Sequence, residues 1–302
     1  MRFSAFIFTL LLVINSAFAG DATTNQSQAE EDETKDLVES PGGSAVNGSN
    51  QAETPEHKSG YSEKPKFGST FSVPSQLEED DRVKKPVIRV PSADRVIKPW
   101  FDKKRELNEF LGFKLGMDYN TMYQSTSDSL TEEDSFWSGI ARVYGTWTVF
   151  NKGEKAKGSL VWSLEHRHNI HYPLPPADAA GQMGYAGLTG TNFNDAGALL
   201  GSLYWQQYFG DGNGGIIAGR FDPNDFMDVL GYFNPYTTFS NLAVGSNWSI
   251  ALHDWSWGIG AGRWLTDQVY LLGTINDANG SATNEKFFEG GSEFFSQAEI
   301  GW

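Results

Sequence analysis

Apolar and polar residues alternate along the stretch FWSGIARVYGTWTVF, residues 136 to 150. With the period of two that a β-strand has, apolar or small residues fall on one side and mostly polar residues on the other. The first side holds Trp137, Gly139, Ala141, Val143, Gly145, Trp147 and Val149, and the second holds Ser138, Ile140, Arg142, Tyr144, Thr146 and Thr148. A tilted strand from one tryptophan to the other projects to about 25 Å, the height of the apolar band of a transmembrane β-barrel.

The same alternation continues from Phe110 to the end of the chain. The apolar sides of three further strands are Leu111, Phe113, Leu115, Met117 and Tyr119, then Leu160, Trp162 and Leu164, then Leu199, Gly201, Leu203 and Trp205. Five more candidate strands are Ile216 to Phe221, Asn247 to Leu252, Trp257 to Trp264, Val269 to Ile275 and Phe294 to Trp302. About nine strands with alternating short and long connectors predict an all-β, antiparallel up-and-down transmembrane barrel.

A soluble β-sandwich or jelly roll is the alternative fold, since its strands would alternate in the same way. Two features favour the membrane barrel. The polar sides contain charged residues such as Lys114, Glu165 and Arg167, and the apolar sides repeatedly end in Trp or Tyr, as an interfacial belt requires.

The first hundred residues have a different character. Arg2, an apolar run from Phe3 to Ile14 and the A-x-A site before Gly20 predict a secretory signal peptide over residues 1–19. Residues 20–99 are rich in Ser, Asn, Gln, Glu, Gly and Pro, which predicts a disordered extension and linker. A short helix is expected from Phe101 to Phe110, and the barrel domain covers residues 100–302.

Composition narrows the function classes. The chain has 33 Gly, 10 Trp and 14% aromatic residues together with a net charge of -15, which is typical of neither a disordered chain nor an ordinary enzyme. A strongly acidic protein is a poor partner for nucleic acid, because phosphate binding depends on Lys and Arg. With a cysteine count of zero, stability has to come from backbone pairing and packing.

The segment GRFDPNDFMDVLGYFNPYTTFSNLAV, residues 219 to 244, is the most distinctive in the sequence. It resembles the carbohydrate-selective porin family of Gram-negative outer membranes, in which a strand ending in G-[RK]-x-D leads into a D-x-N-x-F element and an F-x-N-P-x-T-x-F-x-N run. The Gly-rich YWQQYFGDGNGG before it and GIGAGRWLTDQVYLLGTINDANG after it agree with this resemblance, which extends from about Phe110 to the end of the chain.

The resemblance implies a sixteen-stranded barrel in the outer membrane that lets sugars diffuse through. This sequence departs from that pattern, since about nine strands are visible and the last, SEFFSQAEIGW, stops at Trp302. The C-terminal half of the family barrel is therefore expected to be missing. A truncated product, or a short chain that closes by pairing with another copy of itself, would account for this, because an open sheet edge cannot face lipid.

Polar groups, charges and aromatic rings are what a sugar pore needs along its lumen. The polar-side and loop residues predicted to line the pore are Arg142, Arg167, Tyr204, Arg220, Asp222, Asn224 and Asp225. Arg220 and Asp222 are expected to define the narrow part, with Asn224 and Asp225 in the loop beside them. A turn held by carboxylate-to-backbone hydrogen bonds is the alternative interpretation of this segment.

Other motifs carry little chemistry. DPNDFMD lacks the Gly and the final Glu of a calcium loop, and His166 and His168 follow the apolar side of their strand, where an interfacial role is favoured over a metal site. GDGNGG is expected to be a hairpin turn. We therefore predict no catalytic residues, no metal and no cofactor.

The function predicted from the sequence is diffusion of mono- or oligosaccharides, and of ions, through a porin in contact with outer-membrane lipid. A secreted all-β protein that binds or cleaves glycans, with Asp222 and Asp225 as acid and base, is the alternative from another class. A non-conducting truncated porin is the third.

Overall fold

The computed structural model describes residues 68–69, 71–81, 91–185, 188–227, 236, 240–245, 249–288 and 293–302. Within these ranges the chain forms one eight-stranded antiparallel sheet in which every strand pairs with the next in sequence. The predicted signal peptide and residues 20–67 of the predicted extension lie outside the described residues.

The strands follow one another as the alternating pattern requires. They are β1 (Phe113–Ser125), β2 (Ser135–Phe150), β3 (Gly158–Asn169), β4 (Gly197–Phe209), β5 (Gly214–Phe221), β6 (Ser256–Trp264), β7 (Tyr270–Asp277) and β8 (Phe294–Gly301). The helices are α1 (Val73–Asp81), α2 (Pro91–Leu111), α3 (Pro176–Gln182) and α4 (Leu242–Gly245), with a 3-10 turn at Pro223–Asp225. This meander is the predicted up-and-down topology.

The two faces of the sheet have the polarity that a membrane barrel has and a soluble sandwich lacks. The apolar side chains exposed on the outer face include Met117, Val143, Leu164, Ile216, Ile259, Leu271 and Ile275. The polar side chains buried on the inner face include Ser138, Ser159, Ser163, Glu165, Arg167 and Gln206. The alternation therefore places the polar residues inside, as predicted.

The small residues between Trp137 and Trp147 leave space for large aromatic side chains of the adjacent strands. A Cβ atom at Gly139 would lie 2.2 Å from the hydroxyl of Tyr119, and one at Gly145 would lie 2.6 Å from Cζ2 of Trp162. The Tyr119 hydroxyl can therefore lie across β2 and reach Nε2 of His168 at 3.0 Å. Glycine is required here because the aromatic side chains of β1 and β3 cover the outer face of β2.

The connectors alternate in length as a barrel requires. Residues 151–157, 210–213 and 265–269 form the short turns, and residues 126–134, 170–196, 222–255 and 278–293 form the longer connections. The predicted strand Asn247 to Leu252 is wrong in its described part, residues 249–252, which form a turn and irregular backbone. That segment belongs to the long connection between β5 and β6.

A bulge in β4 changes which residues point inward. Trp162 pairs with Leu203, whereas Leu164 pairs with Leu200, so the alternation shifts at residues 201–202. Ser163 accepts a hydrogen bond of 2.7 Å from the backbone N–H of Ser202 at this point. The prediction that Leu199 shares the apolar face with Leu203 is wrong, because Leu199 lies opposite Glu165 and is buried.

Two helices require a correction to the predicted linker over residues 20–99. Helix α1 packs on β1, β2 and β3 within that range, and α2 starts at Pro91, ten residues before the predicted helix of Phe101 to Phe110. The physical reason for α1 is burial, since Val73 and Leu77, one helical turn apart, both lie against the inner face. Within the described ranges, none of the helices has the length and apolar character of a bilayer-spanning helix.

Candidate functional site

A row of charged side chains crosses the inner face of β1, β2 and β3. Asp118 lies opposite Arg142, and Arg142 lies opposite Glu165, so the three residues form consecutive positions across the sheet. Arg142 donates two hydrogen bonds to Asp118, the one from Nε measuring 2.8 Å. Arg167 donates from Nε and Nη2 to Oε2 of Glu165 at 2.9 and 2.8 Å. We call Asp118, Arg142, Glu165 and Arg167 the charge row.

Aromatic rings cover both guanidinium groups of the charge row. The Arg142 guanidinium carbon lies 4.2 Å from the ring centre of Tyr236 and 5.5 Å from that of Tyr144. The corresponding carbon of Arg167 lies 5.3 Å from the ring of Trp255. Charged groups paired with carboxylates and stacked on aromatic faces are held in fixed positions, which suits them to orient a polar ligand.

Tyr204 lies in an aromatic cluster and not in the charge row. Its ring makes edge contacts with Phe221 at 5.9 Å and Phe226 at 5.8 Å, and only 2% of the residue is exposed. Val73 and Leu77 of α1 belong to the same buried cluster. Tyr204 is on the inner face, as predicted, but its ring is covered by α1.

Arg220 is fully buried and binds backbone carbonyls. Its donors reach the carbonyl oxygens of Leu200, Trp255, Ser281, Ala282 and Asn284, at distances from 2.7 to 3.4 Å. These contacts connect β4 and the connections before β6 and after β7 through one side chain. The prediction that Arg220 defines the narrow part finds no support in these surroundings, because the guanidinium faces main chain.

Asp222 and Asn224 form a hydrogen-bonded turn, which is the alternative interpretation of this segment. Oδ1 of Asp222 accepts from the backbone N–H of Asn224 and from its side-chain amide, each at 2.8 Å. The amide of Asn224 also donates to the carbonyl of His253. Burial, reinforced by the neighbouring Asp225 carboxylate, raises the pKa of Asp222 well above its ordinary value. This pair therefore closes the turn that follows β5.

Among the three predicted pore residues of the loop, Asp225 is the one whose pKa is influenced by the charge row. Burial raises the pKa of its carboxyl to about 7, with Glu165 adding to the rise and Arg142 opposing it. The influence of both groups shows that Asp225 lies in the electrostatic field of the charge row. Its backbone carbonyl accepts from the N–H of Ser69 at 2.6 Å.

Arg142 and Arg167 belong to the charge row, whereas Tyr204 lies in the aromatic cluster and Arg220 faces backbone carbonyl groups. Asp222, Asn224 and Asp225 share one turn, of which Asp225 is also in the electrostatic field of the charge row. Two covering residues, Tyr236 and Trp255, were not predicted, because they come from a long connection whose path the strand pattern does not specify. Among the described residues, no three His, Asp or Glu side chains gather as metal ligands. The rings of His166 and His168 lie side by side on the outer face, with their centres 5.4 Å apart and their planes tilted by 42°.

Comparison with known proteins gives one structural match. The chain matches no protein-family model and no curated protein. It is similar to the solved structure of OprB from Pseudomonas putida at high pH, with a TM-score of 0.51 and 11% sequence identity. The match covers 67% of this chain and 50% of the OprB chain, so the chain spans about half the length of that protein. At this identity the likeness shows a porin-like β-barrel fold.

Proposed function

We propose that the protein is a carbohydrate-selective porin of a Gram-negative outer membrane, through which mono- or oligosaccharides and ions diffuse. The single observation that carries the proposal is the polarity of the sheet. Its outer face is apolar and exposed, whereas its inner face carries the charge row and buried hydroxyl and amide groups. The likeness to OprB supports the same conclusion at the level of fold.

Outer-membrane lipid is the medium that fits the outer face. Exposed aromatic residues mark both ends of the strands: Trp147, Phe150 and Phe209 near the short turns, and Tyr123, Phe287 and Phe294 near the long connections. Aliphatic side chains such as Val143 and Leu164 lie between them. This arrangement is the aromatic girdle and apolar band of an outer-membrane barrel.

The inner face fits a sugar because a hydroxyl group entering a pore must exchange its water for other hydrogen-bonding partners. Charged and amide groups supply such partners, and flat rings such as Tyr236 and Trp255 can lie against the apolar face of a sugar ring. Binding that is weak and repeated along the path permits both entry and exit. The charge row is therefore the proposed contact region for the passing sugar.

Passage through such a pore requires no bond to form or break, and we propose no enzymatic activity. In the glycan-cleaving alternative Asp222 and Asp225 would act as acid and base. Asp222 instead closes a turn, with its Oδ1 occupied by two hydrogen bonds from Asn224. An exposed apolar outer face is also unfavourable for a secreted protein in water.

Liposome swelling tests the proposal. Purified protein reconstituted into liposomes should admit maltose several-fold faster than empty vesicles do. Arg142→Gln should change the relative rates for maltose and for a charged sugar acid, because it removes a positive charge from the charge row. Arg263→Gln is the matched control, since Arg263 is an exposed residue of β6 outside that row and should leave both rates unchanged.

Two outcomes would contradict the porin proposal. Swelling no faster than that of empty vesicles would exclude sugar passage by this chain and would favour a non-conducting product. A protein that stays soluble without detergent, and migrates identically on gels with and without heating, would favour the secreted glycan-binding alternative.

A further inference from the structure

Helix α1 occupies the inner face of the sheet, the same face that carries the charge row. It packs on β1, β2 and β3, and its underside joins a buried cluster with Tyr144, Val161 and Tyr204. Leu77, at the centre of the helix, is 1% exposed. The helix is thus packed on three neighbouring strands, and Val161 lies beneath it with no exposed surface.

Polar contacts hold the end of α1 on the first two strands. Asp80 accepts a hydrogen bond of 2.7 Å from the hydroxyl of Tyr144. Asp81 forms ion pairs with Lys114 at the start of β1, at 3.1 Å, and with Lys104 of α2, at 3.5 Å. The carboxyl end of the helix is therefore fixed near the short-turn end of the sheet.

The beginning of α1 is attached to the loop that follows β5. The backbone N–H of Ser69 donates to the carbonyl of Asp225, and Ser72 donates back to the carbonyl of Ser69 at 3.0 Å. Both ends of the helix are therefore held by contacts to different parts of the structure, and the helix lies along the inner face over its whole length.

The side of α1 that faces away from the sheet is acidic and borders an open depression. A cavity of about 420 Å³ is lined by Ser75, Glu78, Glu79, Asp81 and Lys114. A solute that moves along this part of the inner face has to pass over this acidic side of the helix. The apolar contacts beneath α1 leave no path between the helix and the strands, since Leu77 and Val161 are both buried within one packed cluster.

From these contacts we infer that α1 is an inner plug that limits the size of the solutes that can pass, with Leu77 as its positioning residue. The inference rests on the proposed porin function and adds to it the element that sets the size limit. In the docked state α1 covers Val161 and narrows the conduit. Release of the helix exposes this wall and widens the conduit.

Docking can be measured without conduction, because the chain has no native cysteine. Val161→Cys places a single thiol beneath α1, and its rate of reaction with a maleimide in detergent micelles reports whether the helix covers it. The rate should be at least ten-fold lower than that of a thiol at Glu154, an exposed residue of the short turn between β2 and β3. Adding Leu77→Glu, which puts a charge into the apolar contact, should raise the Val161→Cys rate at least ten-fold.

Leu130→Glu is the matched control for the Leu77 variant. It makes the same chemical change at a residue of the connection between β1 and β2 that is 77% exposed, and should leave the labelling rate unchanged. A second release variant, Asp80→Ala with Asp81→Ala, removes the hydrogen bond from Tyr144 and the two ion pairs of Asp81 without altering any strand. It should raise the labelling rate of Val161→Cys by a smaller factor than Leu77→Glu does. It also provides a test of helix release if the Leu77→Glu protein fails to fold.

Conduction then tests the size limit. In liposome swelling, Leu77→Glu should admit raffinose relative to maltose several-fold better than the wild type, and Leu130→Glu should not. Rapid labelling of Val161→Cys in the otherwise native protein would overturn the inference, and so would release of the helix with unchanged sugar cut-off in conducting vesicles. Protection that Leu77→Glu abolishes, in vesicles that never conduct, would support the docked helix and would contradict the porin function.

Discussion

At the residue scale, Arg220 shows how a buried cation can be held through hydrogen bonds to backbone carbonyl groups. Five backbone carbonyl oxygens surround the guanidinium, and each belongs to a segment that lacks regular strand pairing at that point or lies next to the β4 bulge. Arginine fits because its planar fork presents several donors in fixed directions. The side chain therefore replaces the hydrogen bonds that a regular sheet would have supplied.

Arg220→Ala should lower the free energy of unfolding by about 3 kcal/mol, because several buried carbonyl groups would lose a charged donor. Urea unfolding in detergent micelles, followed by tryptophan fluorescence, measures the change. Arg263→Ala at the exposed position on β6 is the control and should change stability by less than about 0.5 kcal/mol. Equal stability of the two variants would contradict the role assigned to Arg220.

The position of Arg220 on the polar side could be predicted from its strand, but its surroundings could not. The five carbonyl groups come from residues 200 to 284, and no local pattern indicates that residues 281–284 fold back over β5. For Asp222 and Asn224 the local sequence did contain the answer, because Asp-Pro-Asn favours a side-chain-capped turn. Arg142 and Arg167 were predictable because strand period alone places them on the inner face.

At the element scale, the outer face of β2 depends on glycines that accept the rings of its neighbours. Tyr119 of β1 covers Gly139, and Trp162 of β3 covers Gly145. Each ring lies over an adjacent strand, so three strands are tied together by side-chain packing in addition to backbone hydrogen bonds.

Gly145→Ala should destabilise the protein by about 2 kcal/mol, because the new methyl group would lie 2.6 Å from the backbone oxygen of Lys114 and from the Trp162 ring. Gly181→Ala is the control: it changes the same residue type near the end of α3, where a Cβ meets nothing within 4 Å. Thermal unfolding monitored by the heat-dependent gel shift compares the two. A Gly145→Ala protein as stable as the control would contradict the packing described here.

Strands were easier to predict than helix α1 for a physical reason. A strand's alternation repeats along many residues, as in β2, whereas α1 offers only Val73 and Leu77 as an apolar contact among charged residues. Such a segment has the composition of a linker, and it forms a packed helix only because the inner face of the sheet covers its two apolar side chains. The β4 bulge was missed similarly, because Gly201 fits the apolar pattern until Ser202 bonds to Ser163.

At the scale of the whole molecule, the polarity of the sheet is reversed relative to a soluble β-protein. Apolar side chains such as Val143 are exposed, while their sequence neighbours Arg142 and Tyr144 face inward. The strand period, the short-and-long connectors and the antiparallel order were all predictable from the chain. The count of strands was not, because the alternating segment Asn247 to Leu252 lies in a long connection.

Brominated lipids test this polarity across the whole sheet. A fluorophore attached to Val143→Cys or Leu164→Cys in reconstituted protein should be quenched strongly by bromine placed in the middle of the lipid chains, because both residues lie on the exposed apolar face. Thr146→Cys, on the other face of β2, should be quenched several-fold less. Equal quenching at all three positions would contradict an inner and an outer face.

The carbonyl contacts of Arg220 couple two connections that are far apart in sequence. Residues 281–284 and Trp255 both accept hydrogen bonds from the Arg220 guanidinium. An insertion in either segment would therefore shift the guanidinium on which the other segment also depends. A change in loop length is ordinarily tolerated at the rim of a barrel. Here it would leave the buried guanidinium of Arg220 without some of its hydrogen-bond acceptors. The two segments are consequently constrained to change together, and a chimaera that exchanges one of them has to carry both.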